Sequence, residues 1–441
     1  MKKIFKITRV LALTAVASTS GFAQMTLTGE IRPRFEYRHG YSAPADTLQK
    51  SAQFIQQRTR LNFGYAAEKF KVGITLQDVR VWGNQSQMNT YDVNTFGLHE
   101  GWAEYSFNKK ISMKLGRQEI SYDDQRIMGA VDWKQEGRTH DAFLLKYVDS
   151  TFSVHMGIAL NQNDVSLAAT NYSIAKSYKQ MQYVWLNKQI NTFNISLLAL
   201  NVGQQSPTTT NSTRYITTVG TRIEYKKNPF FAGANFYYQA GDDVTLNSKK
   251  HPKKVGALLG GIDIDYTLKE KFTIGLGYEY ISGQSQTDTT SAYKNINHSF
   301  NPVFGTNHKF NGYMDYYYSG NHINNVGLQD LIFRLKYKVE KWNCALDVHQ
   351  FLTAANVLDT KKLVKTGKYA AMTSNLGTEL DLTFKYMLTA VVVITAGYSH
   401  YIASETLGIV KNVRDWKGDG RTHQTNNWFY VMISFKPNFM K

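Results

Sequence analysis

This chain of 441 residues is poor in cysteine, in proline and in long apolar runs. Its only cysteine, Cys344, excludes an intrachain disulfide. Only seven prolines interrupt the chain, so long β-strands are permitted throughout. After residue 23 no apolar run reaches the roughly 20 residues that a membrane-spanning helix requires. The 42% of hydrophobic residues therefore does not come from a bundle of membrane helices.

The first 23 residues are typical of a secretory signal peptide. Four basic residues precede a short apolar core at Val10–Ala17, and the small residues of Gly21-Phe22-Ala23 suit a peptidase. We therefore expect 1–23 to be removed and 24–441 to form one domain that begins at Gln24. Loss of four basic residues lowers the formal net charge from +17 to +13.

Residues Leu27 to Arg38 alternate strictly between two kinds of side chain. Odd positions hold Leu, Gly, Ile, Pro, Phe and Tyr, while even positions hold Thr, Glu and Arg. Successive side chains of a β-strand point to opposite faces, so one face is apolar and the other is charged. This density of charge exceeds what a soluble sandwich usually carries. The pattern suits a barrel wall with lipid outside and an aqueous lumen inside.

The same alternation recurs to the end of the chain, where Phe429, Val431, Ile433 and Phe435 share a face. Around Asp78, Arg80 and Trp82 the phase is uncertain, which suggests a bulge. The 28 Tyr and 24 Phe residues suit interfacial aromatic girdles. The alternative from composition alone is a soluble all-β protein.

Short polar turns and long segments follow each other in strict alternation between the strands. Eight turns and nine long loops predict an all-β, antiparallel, up-and-down transmembrane barrel of about 18 strands. The even count leaves both termini in the periplasm, with the long loops outside the cell. Gly283 to Val326 is the longest loop, and it either folds into the lumen or covers the mouth.

Two segments resemble the alginate export family of outer-membrane β-barrels. The first contains Gly116-Arg117-Gln118, Gln125-Arg126, Gly129 and Asp132-Trp133 before Gly137-Arg138-Thr139, and the second is Asn307 to Asp315. The resemblance implies a monomeric barrel whose electropositive lumen conducts an anionic uronate polymer. It implies neither the exact solute nor the direction of transport.

A nine-residue motif occurs twice. Asp132 to His140 recurs as Asp415 to His423, and only the two positions before each Gly differ. We hypothesise that Arg138 and Arg421 lie at similar heights near the outer mouth. Asp132, Trp133, Asp415 and Trp416 would then seat the two loops on the rim. The alternative is a shared turn chemistry, in which Gly adopts a left-handed backbone and Asp caps the turn.

Arginine and acidic side chains fall at the lumen-facing positions of several strands. Arginine binds carboxylates through a planar fork, so a row of arginines would favour anions. The alternative is a structural lattice of charges across the lumen with little selectivity. The predicted pore-lining residues are Arg32, Arg34, Arg58, Arg60, Arg126, Arg138, Arg222, Arg334, Arg421, Glu30, Glu100 and Glu104. Arg117 has the apolar parity of its strand, and its direction stays open.

No spacing typical of catalysis or cofactor binding is found. The histidines are scattered, and the adjacent Asp123 and Asp124 are weak evidence for Ca²⁺. We therefore predict no enzyme activity, no cofactor and no metal.

Three hypotheses follow, of which the first is a channel for anionic oligosaccharide or polysaccharide. The others are a general anion-preferring porin, and an outer-membrane enzyme or adhesion scaffold with a blocked lumen. The expected surroundings are outer-membrane lipid, lipopolysaccharide and the barrel-assembly machinery of a Gram-negative bacterium. We expect a monomer that binds no nucleic acid.

Overall fold

The computed structural model describes residues 23–88, 96–174, 177–206, 212–243, 253–318, 322, 325–413 and 424–440. Short helices occupy Ser291–Lys294, Asn307–Lys309 (3₁₀), Thr360–Thr366 and Glu405–Val410. No helix in these residues is long and apolar enough to cross a membrane. The strands are β1 (Gln24–His39), β2 (Ala52–Ala66), β3 (Phe70–Val81), β4 (Phe96–Ser106), β5 (Ile111–Gln118), β6 (His140–Val148), β7 (Phe152–Leu160), β8 (Gln180–Ile190), β9 (Phe193–Gln205), β10 (Thr213–Lys227), β11 (Phe230–Asp242), β12 (Lys254–Leu268), β13 (Phe272–Ile281), β14 (Ile296–Asn297), β15 (Leu328–Val339), β16 (Trp342–Leu352), β17 (Asn375–Met387), β18 (Val392–Ala403) and β19 (Asn426–Phe435).

All strands except β14 form a closed, antiparallel, up-and-down barrel. Each long strand pairs with its neighbours in sequence, and β1 pairs with β19 to close the ring. β14 has two residues and only adds a parallel bridge to the start of β12. The predicted barrel of 18 strands, with short periplasmic turns and long extracellular loops, is confirmed.

The outer surface of the barrel is apolar and carries aromatic side chains at its periplasmic edge. Leu276, in the middle of β13, is 62% exposed, as expected for a side chain that meets lipid. Aromatic pairs such as Phe230–Tyr266 and Trp342–Tyr386 lie beside the short turns. These rings mark the periplasmic interface, where amphipathic rings are favoured.

The suspected bulge exists, but its extra residue lies in β4. The register between β3 and β4 shifts after Thr75, because His99 has no opposite residue. β3 keeps an unbroken register with β2, so Asp78 and Arg80 keep outward parity. They form an ion pair of 2.6 Å near the extracellular end of the barrel. The uncertain phase of β3 was therefore a change of polarity along one face and not a change of face.

Arg117 also points outward, and its guanidinium lies 2.9 Å from the carboxylate of Asp141 on β6. Both side chains are well exposed. The direction of Arg117, which the sequence left open, is therefore outward, at a height where the outer face is polar.

A charge on the lipid-facing surface should cost far more than a charge in the lumen. We expect Leu276→Arg to destabilise the folded barrel by roughly 2–4 kcal/mol, because its guanidinium would lie near the bilayer midplane. Reversible unfolding in phospholipid vesicles measures this difference. The control is Thr383→Arg on the inner face of β17, for which we expect under about 1 kcal/mol. Equal losses for both variants would contradict the assignment of the two faces.

Candidate functional site

Two long loops fold into the extracellular half of the barrel and pack against each other there. We name them L3 (residues 119–139) and L7 (residues 282–327). The Gly129 amide donates to the Phe304 carbonyl at 2.8 Å, and the Thr306 amide donates to the Gln125 carbonyl at 2.9 Å. Met128 of L3 and Met314 of L7 are each 1% exposed or less. The second family-like segment lies in L7, and the first runs from the end of β5 through L3. Because both loops fold inward, they narrow the lumen.

A buried ion pair attaches L3 to the wall. The Arg126 guanidinium donates to both carboxylate oxygens of Glu279 on β13, at 2.7 and 2.6 Å. It also donates to the side-chain oxygens of Asn307 and Asn311 in L7. Arg126 is only 1% exposed. A bidentate pair with this geometry fixes both loops relative to β13.

The Asp132 carboxylate bridges two arginines of the wall. Its oxygens lie 2.8 Å from Arg58 Nη1 and 3.2 Å from Arg32 Nη1. Arg32 and Arg58 are directly opposite each other in the register of β1 and β2. Glu30 supplies a second carboxylate, 2.5 Å from Arg58 Nη2. The Asp132 side chain is 60% exposed, so this carboxylate faces the water of the lumen.

The charge of Asp132 is stabilised by these two arginines. Partial burial disfavours the charged form, but the guanidinium groups of Arg58 and Arg32 outweigh it. The pKa of the Asp132 carboxyl is therefore below its usual value.

A column of stacked rings joins the two loops to β1. The Trp133 ring stacks on His308 at 4.4 Å, and His308 stacks on Tyr313 at 5.3 Å. The Arg34 guanidinium lies 4.1 Å from the Trp133 ring centre. Trp133 also meets Tyr430 of β19 edge-on at 4.9 Å. The predicted seating by Trp133 therefore takes place against the inner wall and not on the rim.

Two carboxylates of β17 hold L7 through its backbone. Glu379 accepts a hydrogen bond from the Met314 amide at 2.7 Å, and Asp381 accepts one from the Tyr313 amide at 3.2 Å. Gly312 has a φ of +82°, and a Cβ there would lie 2.4 Å from a Glu379 oxygen. Only glycine permits this approach, which explains its place in the second family-like segment.

The remaining predicted arginines lie at separate points around the lumen. Arg60 donates to Gln77 at 2.7 Å and contacts His99, and Arg222 contacts Asp124 at 2.5 Å. Arg334 lies 2.6 Å from Asp263. Arg138 donates to the carbonyl of Phe304 and pairs with no carboxylate in the described residues.

The predicted acids also have partners on the inner face. Glu104 lies 2.7 Å from Lys146 and accepts from Ser112, while Glu100 accepts from the Glu119 amide at 2.9 Å. Arg421, Asp415 and Trp416 lie outside the described residues, so the paired-mouth hypothesis stays a prediction.

Sequence reasoning did not identify two partners of the arginines. His99 points inward because of the bulge, and it contacts Arg60 at 2.8 Å and Glu119 at 3.0 Å. Asp124 accepts from both Arg222 and Asn235, at 2.5 and 2.7 Å. Its carboxylate is thus engaged by wall residues.

No cluster of three or more His, Cys, Asp or Glu suited to a metal ion occurs in the described residues.

The closed barrel, its lipid-facing surface and its inward-folded loops define an outer-membrane β-barrel of the porin class. The model of the alginate export family, described as "Alginate export", matches residues 23–412. The chain belongs to this family, and it is therefore an outer-membrane channel protein of a Gram-negative bacterium.

Solved structures of outer-membrane barrels share this fold. OccAB4 of Acinetobacter baumannii has a TM-score of 0.60 and 10% identity, over 94% of this chain and 98% of that one. OccAB1 of the same organism has a TM-score of 0.60 and 10% identity, over 94% of this chain and 97% of that one. The outer membrane protein opdK of Pseudomonas aeruginosa has a TM-score of 0.55 and 10% identity, over 94% of this chain and 99% of that one. A search of the curated proteins finds no match.

Removal of the Glu279 charge should release L3 from the wall. In Glu279→Gln the buried Arg126 loses its counter-charge, so we expect local opening of L3 to become easier by roughly 3–5 kcal/mol. Hydrogen exchange of the amides of residues 119–139 measures this opening. In the matched control, Asp141→Asn breaks the exposed pair with Arg117 and should change exchange by under about 1 kcal/mol. Unchanged protection of L3 in Glu279→Gln would contradict the anchoring role.

The bridge from Asp132 to Arg32 and Arg58 should depend on pH. A carboxyl whose pKa is lowered in the folded state contributes stability above its unfolded pKa of about 3.9. That contribution is lost as the pH falls through the lower folded pKa. We therefore expect L3 protection, corrected for intrinsic exchange rates, to fall below about pH 4. Asp132→Asn should lack this component of the acid dependence, and an identical profile would contradict the assignment.

Proposed function

We propose that this protein passes anionic oligosaccharides or polysaccharides, such as uronates, passively across the outer membrane and is not an enzyme. Membership of the alginate export family supports this class of solute. The arginines at the narrowed height of the lumen support it too, because guanidinium groups bind carboxylates bidentately.

The observation that carries the proposal is the carboxylate of Asp132 between Arg32 and Arg58. It belongs to a loop, it faces water, and it occupies a site formed by two wall arginines that are nearly buried. A uronate carboxylate has the same charge and geometry. It would replace Asp132 on the arginines as the solute passes and then return the site to Asp132.

This exchange avoids a binding site that is too strong for transport. A departing solute would otherwise leave Glu30 as the only carboxylate on the two nearly buried arginines, so one positive charge would be uncompensated, which costs several kcal/mol. Because Asp132 is tethered beside them, each departing carboxylate is replaced at once. Conduction needs such sites, which bind a solute well enough to admit it and weakly enough to release it.

The second candidate is a general anion-preferring porin for small solutes. The pairing of most predicted arginines with acids favours this candidate, because a paired arginine discriminates less between anions. A candidate from another class is an outer-membrane scaffold or enzyme with a blocked lumen. The two loops packed across the extracellular half favour it.

The proposed surroundings are outer-membrane lipid and lipopolysaccharide around a monomeric barrel that is inserted by the barrel-assembly machinery. The apolar outer surface supports contact with lipid. The ion pairs Asp78–Arg80 and Arg117–Asp141, on the outer face near the extracellular strand ends, support contact with lipopolysaccharide headgroups.

Planar-bilayer recording tests the proposal. We expect single-channel currents with a preference for anions, which oligouronates reduce and neutral oligosaccharides of equal length do not. Anion currents that oligouronates leave unchanged would favour the general porin. Absence of any current would favour the blocked scaffold.

The role of the arginines is tested in the same recordings. Arg58→Ser combined with Arg60→Ser should lower the anion-to-cation permeability ratio, because two positive charges leave the narrow part of the lumen. Arg80→Ser combined with Arg117→Ser is the matched control, since it removes two positive charges from the outer surface. An unchanged reversal potential in the variant of Arg58 and Arg60 would contradict selection by arginine.

A further inference from the structure

The basic residues of the barrel separate by type along its axis. Arginines occupy the middle and extracellular heights, where loops and acids surround them. The short periplasmic turns and the strand ends beside them contain lysine and no arginine. These lysines are Lys69, Lys71, Lys109, Lys110, Lys188, Lys226, Lys227, Lys269, Lys271, Lys338, Lys341 and Lys385.

Four of these lysines face the lumen. Lys71 is opposite Glu104, an inward residue of β4. Lys226 shares the parity of the inward Arg222 and Glu224, and Lys338 shares that of Arg334. Lys385 shares the parity of the inward Asp381. All four are exposed, and none forms an ion pair in the described part of the chain.

Three inward acids of the strands beside these lysines are already engaged by other cations. Glu104 lies 2.7 Å from Lys146, and Glu224 lies 2.7 Å from Arg222. Asp265 lies 3.4 Å from Lys336. The four ammonium groups can therefore attract an anionic solute, since none of them forms an ion pair with a carboxylate in the described residues.

Lys338 and Lys385 form the most basic part of this group. Both are paired in register with Asn343, so they lie in one row across β15, β16 and β17. Neighbouring strands are roughly 4.8 Å apart, which places the two lysine backbones about 10 Å from each other. Thr395 follows Lys385 in the same row. Asn343 and Thr395 add hydrogen-bonding groups and no negative charge.

We propose that Lys71, Lys226, Lys338 and Lys385 form a vestibule that binds a soluble polyanion at the periplasmic mouth. The ligand is a linear saccharide with several carboxylates, and its identity as the transported solute rests on the proposed function. Several weak contacts along one chain raise its local concentration without holding any single unit tightly. The vestibule therefore delivers the polymer to Arg32 and Arg58 from the periplasmic side.

Lysine acylation tests binding without requiring any current. The purified barrel in detergent is treated with an amine-reactive acetylating reagent, with and without an oligouronate, and modification is measured by mass spectrometry. We expect acetylation of the four vestibule lysines to slow at least threefold. Lys227 and Lys341 are internal controls, because Lys227 has outward parity on β10 and Lys341 lies in a turn. A neutral oligosaccharide of equal length should protect none of them.

Side-specific block in bilayers tests the direction. The orientation of each channel is assigned with Leu48→Cys in a Cys344→Ser background, by extracellular addition of a charged thiol reagent. We expect half-block by oligouronate to need at least threefold less ligand from the periplasmic side. The combined variant Lys71→Gln, Lys338→Gln and Lys385→Gln should abolish this difference. The control combination Lys69→Gln, Lys227→Gln and Lys341→Gln removes the same charge and should retain it.

Each outcome decides the vestibule separately from the channel. Equal protection of vestibule and control lysines, or none at all, overturns the vestibule even if the barrel conducts anions. Retained asymmetry in the lumen variant, or its loss in both variants, overturns it as well. Selective protection in a barrel without current supports the vestibule while contradicting the proposed function.

Discussion

The constraint on which this structure depends is that a backbone amide or carbonyl in hydrocarbon must find its partner within the protein. The antiparallel hydrogen-bond ladder between β1 and β19 satisfies this constraint for the two strands that would otherwise be sheet edges. Once the ring is closed, the alternation of side chains sets which face meets lipid. The even number of long strands also places both ends of the chain on the side of the short turns. All nine long connections therefore lie on the other side, where two of them enter the lumen.

Charge pairing determines where the inward loops lie, and it contributes less to the stability of the fold. Moving an ion pair from water costs about as much as its attraction returns, so Arg126 and Glu279 add little net free energy together. Breaking one member alone leaves a buried charge, however, so only one placement of L3 is acceptable. The bridge at Asp132 differs because its carboxylate keeps contact with water. The ion pair at β13 is thus a firm attachment of L3, whereas the carboxylate contact at β1 and β2 is exchangeable.

The two-residue periodicity of the sequence predicted the strands of the barrel wall, because the alternation within each strand shows which of its faces is apolar. It also placed Arg32 and Arg58 on the inner face, but their matching height is known only from the observed register of β1 and β2, because a long connection joins these two strands. Partners across the lumen were not predictable in this way. Arg126 and Glu279 are 153 positions apart, and no local pattern connects them. His99 was missed for another reason: one inserted residue changes the face that parity assigns.

The separation of lysine from arginine implies that the two ends of the pore respond differently to the surrounding medium. Ammonium groups in open water are screened over a Debye length of about 8 Å at physiological ionic strength, whereas buried guanidinium pairs are screened far less. High salt would thus weaken the attraction of anions to the vestibule lysines at the periplasmic mouth, and it would leave the buried ion pairs that anchor the loops intact. A cell in fresh water and one in the sea would operate the same pore with different capture ranges.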